Sequence, residues 1–181
     1  MSQKTEWPGN EPRKDEDTME ESHDVIGNYL ATCAAVRAAF HGMSRELLMA
    51  RPVANKWSAL EVLCHLVDTD LVVALRIRSA LTSDCPRLMA ATREQMTTVL
   101  ASDSRDAEEE LTLFQTIRNE TARIIRAMPP NSLDRQAVLV KAGGVEATRS
   151  IRQFLTGITG HVAHHLAFVH EKRRALGLAS P

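Results

Sequence analysis

Seven histidines stand in the 181-residue chain, and two of them, His161 and His165, are four positions apart. On a helix that spacing puts both imidazoles on one face, within reach of a single metal ion. Spacing alone is a weak signal, because seven histidines in 181 positions give about 0.26 such pairs by chance. The helix face carries more. At about 100° per residue, Phe154, Ile158, His161, His165 and Phe168 share the apolar stripe that turns to a core. An imidazole there costs roughly 1–3 kcal/mol unless it is hydrogen-bonded or ligated, so satisfied core histidines and metal ligands both fit the pair. His65 is a third candidate, set among Val62, Leu63, Leu66 and Val73 on another helical segment. Three imidazoles from two helices, with a fourth position open, is the ligand count of a catalytic zinc-type site rather than a structural one. Imidazole-only ligation suits Zn, Ni, Fe or Co.

Around these residues stand possible helpers. Asp68, one turn beyond His65, could orient that ring or serve as a base, or could be a solvated carboxylate. Arg76, three turns beyond His65, could bind a substrate carboxylate in the same cleft or lie on the surface. His170 falls about 130–140° off the ligand face, and His23 and His41 match no pattern. Other chemistries lack their residues. One ExxH, Glu20 to His23, is too few for a di-iron bundle, and there is no HExxH, GxSxG or phosphate-binding glycine loop. Cys33, Cys64 and Cys85 form no CxxC pair and one is left over, which points to reduced thiols in a cytoplasm. Cys64 lies about 100° round the helix from His65 and reads as a small buried hydrophobe.

The elements that must position the histidines are helical. Aromatic residues are only 4% of the chain, hydrophobic residues 44%, and the 22 Lys and Arg nearly balance the 23 Asp and Glu. That balance argues against a nucleic-acid partner, and the absence of a long apolar run argues against a membrane span. Residues 1–18 are polar and charged and are expected to form a flexible leader, with a single domain over 19–181. Helical periodicity predicts a first helix from about Asp17 to Gly42, and others over about 58–81, 105–127 and 149–176, with a short one around Glu94–Leu100. Ser58 and Glu61 have the spacing of a capping box, with Trp57 and Val62 as its hydrophobic staple. Apolar runs either side of Gly143-Gly144 predict a small β-hairpin before the last helix. The fold expected is all-α, a four-helix bundle, with the helix order left open by the long connector between helices two and three.

The segment Trp57-Ser58-Ala59-Leu60-Glu61-Val62-Leu63-Cys64-His65-Leu66 resembles the WSxxEVxxHL signature of the DinB/YfiT-like superfamily of metal-dependent enzymes. His161-Val162-Ala163-His164-His165 resembles that family's HxxHH segment, and the gap and order also fit. The resemblance implies a four-helix bundle holding one divalent metal (Zn, Ni or Fe) on His65, His161 and His165. It also implies a thiol-dependent transferase or a hydrolase acting on a small molecule, a low-molecular-weight thiol as possible cosubstrate, and pairing of chains as a homodimer. The alternative class is a non-catalytic, metal-stabilised helical binding or stress-response module acting as a dimer. His164 matches a family position that is usually not a ligand; at about 60° from His161 it would border the site or face a partner subunit.

Overall fold

The computed structural model describes residues 15–89, 96, 99–140 and 142–179. Four long helices make the bundle: α1 (Asp15–Phe40), α3 (Ala59–Thr82), α4 (Ala107–Arg126) and α5 (Ile151–Ala175). A five-residue helix, α2 (Arg45–Met49), capped by Ser44, sits in the connector before α3. Residues 1–14 of the expected leader lie outside the described residues, and 15–18 already belong to α1. Most of the short helix expected around Glu94–Leu100 also lies outside them.

Side-chain caps and left-handed glycines close several of the helix ends. Asp106 accepts from the Glu108 and Glu109 amides, and three glutamates then meet the positive end of α4. α1 runs into Gly42 at φ +73°, and α5 into Gly177 at φ +72° after Lys172, Arg173 and Arg174. α1 packs against α4 and α5, and α3 packs against the same two, so α1 and α3 lie on a diagonal. α3 is the most enclosed element, with Val62 through Asp68 all buried. Its remaining side is covered by α2 and by the 3-10 turn Ser102–Ser104.

The expected hairpin is present as β2 (Gln136–Val140) and β3 (Glu146–Ser150), antiparallel about a left-handed Gly143-Gly144. The structure adds a strand that periodicity did not reveal, β1 (Arg87–Met89), parallel to β2. The register puts Leu88, Ala137, Leu139, Ala147 and Arg149 on one face, which turns to the helices. Arg87 and Glu146 pair on the other. Arg149 therefore lies within a strand rather than starting the last helix, whose N-cap is Ser150 in a second capping box with Gln153. Arg135 ties the sheet to α3 by donating to the carbonyls of Ala80 and Ser83, at 2.7 and 2.8 Å.

The core has two apolar clusters, one around Val36, Leu63, Phe114 and Val162, the other around Ile26, Ile77, Leu133 and Leu155. A polar layer separates them. Arg118 and Asp70, both fully buried, pair at 2.9 Å. Arg118 also donates to the Tyr29 carbonyl and Thr32 hydroxyl, with its guanidinium 4.3 Å from the Tyr29 ring centre and 4.4 Å from that of Phe114. Burial pushes the Asp70 carboxyl up to about 6, against the pull of Arg118. Removing one member strands the other in the core. Asp70→Ala is expected to lower the free energy of urea unfolding by about 3–5 kcal/mol; a loss below about 1 kcal/mol would show that water reaches Arg118.

Candidate metal centre

His65 sits two turns into α3, so its position is set by the start of that helix. Ser58 accepts from the Glu61 amide at 3.1 Å, and Glu61 Oε2 accepts from the Ser58 amide at 2.7 Å. Arg51 holds the same carboxylate at 2.8 Å. Glu61 is thus a capping residue, as its spacing predicts. Trp57, just before the cap, does more than staple the helix. Its ring lies 5.0 Å from that of His65 and stacks on that of His165 at 6.2 Å, within 7° of parallel. It forms one wall of the site.

The other two imidazoles come from the middle of α5, which runs antiparallel to α3. Ile158 and Phe154 lie buried one and two turns before His161, on the stripe expected from the sequence. The Nε2 atoms of His65 and His161 are 3.2 Å apart, and the three ring centres are separated by 4.5–5.1 Å. One nitrogen from each of the three rings lies within 4.8 Å of the other two. Nitrogens that share a tetrahedral ion at about 2.0–2.1 Å sit about 3.3 Å from one another, so the His65–His161 pair is at ligand spacing. His65 is buried and the other two are half-buried, with their Nδ1 atoms shielded from solvent. Three convergent imidazole nitrogens in a half-dry hollow fit a divalent transition ion. Among the described residues, no fourth His, Cys, Asp or Glu joins them.

The helpers divide. Asp68 is clamped by Arg105, which reaches its two oxygens at 3.0 and 2.9 Å and also binds Glu110. The long-range partner Arg105 makes Asp68 part of a structural ion cluster. His164 is exposed, edge-on to His165 at 5.4 Å and to Phe168 at 4.8 Å, at the rim of the site. Cys64 is buried away from the triad near the Ser102 carbonyl, and burial pushes its thiol up to about 11. Arg76 lines a cleft of about 300 Å³ that runs along the α3–α5 groove from His161. Arg149 and Gln153 line it too, and neither was singled out by the sequence reading. Arg149 is visible as a cleft residue only once β3 extends to Ser150, and Gln153 belongs to a capping box that spacing alone could have shown.

A bundle of this topology, with an imidazole triad shared by two adjacent helices, belongs to a class of helical proteins with candidate mononuclear metal sites. The sequence profile of the DinB superfamily matches residues 29–169, and the chain belongs to that superfamily. No curated protein matches the chain in sequence. Among solved structures it is similar to YfiT from Bacillus subtilis, described as a "probable metal-dependent hydrolase with an unusual four-helix bundle topology". The TM-score is 0.79 at 18% identity, over 96% of this chain and 95% of YfiT. No helix among the described residues is long and apolar enough to cross a membrane.

Because the cap fixes the first turn of α3, Ser58→Ala is expected to cost about 0.5–2 kcal/mol in urea unfolding. Metal uptake, read by equilibrium dialysis with Zn²⁺, should be retained, since Ser58 lies two turns from His65.

Proposed function

We propose that this chain is a metal-dependent enzyme acting on a small molecule, with His65, His161 and His165 holding one divalent ion and a further position left to reactants. The observation that carries this reading is the convergence of three imidazole nitrogens at the mouth of a cleft. Neutral ligands leave the ion its full charge. A divalent ion in such a set supplies an electrophile and lowers the pKa of a water, or holds a thiol as thiolate. Hydrolysis is the favoured reaction, in keeping with the description of YfiT; transfer from a low-molecular-weight thiol is the second use of the same site.

The protein's own groups then have separate tasks. Trp57, stacked on His165 and 5.0 Å from the His65 ring, keeps bulk water from one side of the triad. Ser58 and Glu61 hold His65 at a fixed height on α3. Asp68 is committed to Arg105, which leaves His164, at the rim of the site, as the candidate proton acceptor.

Elemental mass spectrometry on protein purified without chelator or nickel should find about one transition ion per chain. His65→Ala and His161→Ala should bring that to near zero, while His170→Ala leaves it intact. Added Zn²⁺ should also perturb the fluorescence of Trp57 in the metal-free wild type and not in His161→Ala. Equal metal content in all three variants would overturn the ligand assignment. A full site with no turnover in hydrolysis and thiol-transfer screens would favour the metal-stabilised module.

A further inference from the structure

The last helix carries an interior glycine, Gly157, one turn before His161. A glycine inside a helix weakens it relative to alanine, which raises the question of what the missing side chain makes room for. Neither usual structural reason holds at this position. The backbone is right-handed helix, without the positive φ that favours glycine, and a Cβ built here would meet no atom within 4 Å. What borders Gly157 is the cleft of about 300 Å³ that reaches His161. Val72 and Val73 of α3, Phe154 and Ile158 of α5 and Leu139 of β2 line the same cleft, and none of its described lining residues is acidic. Arg76, on the α3 wall, already has an interaction partner in the protein. Gly160 makes the contrast: it too has open space at a built Cβ, but it does not line the cleft.

We infer that Gly157 sets substrate size at this site: the space beside it receives a compact apolar group, a short alkyl chain or one phenyl ring, of a substrate whose reacting group lies at the imidazole triad. The inference rests on the metal-enzyme reading and adds the character of the group next to the reacting centre and the residue that admits it. A side chain on a helix leans back over the preceding turn, so a larger residue at 157 would lie towards Gln153 and Phe154, both in the cleft wall. It would fill the cleft within one turn of His161 without pressing on a packed neighbour. The apolar walls favour a hydrocarbon, because a polar group set between them would lose water without gaining partners. A volume of about 300 Å³ is at the small end of ligand sites, which limits the occupant to a compact group. Gly157 is therefore a specificity-determining residue, apart from the ligand set.

The test measures binding, so it does not depend on turnover. Alkyl hydroxamates from acetohydroxamate to hexanohydroxamate, with benzohydroxamate, are titrated by calorimetry into the full-length protein loaded with Zn²⁺. The head group ligates a metal, and the tail reports on the cleft. Primary alcohols with the same tails are titrated into EDTA-dialysed protein and followed by protein NMR shifts. Expected in both series is an affinity that climbs about twofold to fourfold per methylene until the cleft is full. Gly157→Leu should flatten both series while acetohydroxamate affinity and zinc content stay at the wild-type level. Gly160→Leu, on the same helix but outside the cleft, should keep the climb. Gly157→Ala is the milder variant should the leucine variant fail to fold. It should raise the urea midpoint and still weaken benzohydroxamate about threefold, a combination that a structural role for the glycine would not give. A climb that is absent in the wild type, or that survives Gly157→Leu, overturns the inference. If the wild type takes up no metal and binds no hydroxamate, yet the alcohols show the climb and Gly157→Leu removes it, the cleft assignment stands and the metal reading falls.

Discussion

The structure depends on placing imidazole rings inside the apolar seam between α3 and α5. A seam built only of leucine, valine and isoleucine would pack more easily and cost nothing in lost solvation. Putting His65 at a buried position of α3 commits the surrounding chain to holding its partners in reach. The strong cap before His65, the indole stacked across His165 and the second capping box at the start of α5 all serve that requirement. Each restricts a degree of freedom that would let the rings drift apart.

The same logic explains the polar layer lower in the bundle. Asp70 and Arg118 divide the two apolar clusters at a level between the triad and the sheet. A buried ion pair contributes little net stability, but it does fix register, since neither helix can slide by a turn without stranding a charge. α3 carries both His65 and Asp70, so the pairing that locks α3 against α4 and α1 also sets the height of the ligand candidate against α5. The layer and the site are two constraints on one helix.

Much of this was legible in the chain. The capping box, the histidine stripe and the spans of the long helices follow from short-range spacing, which is where side-chain periodicity and cap chemistry act. What escaped depends on residues distant in sequence. β1 is three residues long with no alternation to mark it, and its partner in β2 is about fifty residues away. Asp68 looked available to His65 because Arg105, which claims it, is 37 positions on. The diagonal placement of α1 and α3 is set by which faces mate, and no local pattern encodes that. Helical periodicity places Arg149 in the last helix because a sheet ending and a helix beginning at adjacent residues leave no gap to read.

The two halves of the triad are 96 residues apart, on helices that are neighbours in space. At a ribosomal rate of about 5–20 residues per second, His65 is made about 5–20 s before His161. During that interval α3 exists without α5 packed against it, and the three imidazoles cannot yet converge. For the metal site proposed above, the order of synthesis alone would delay capture until α5 has been made.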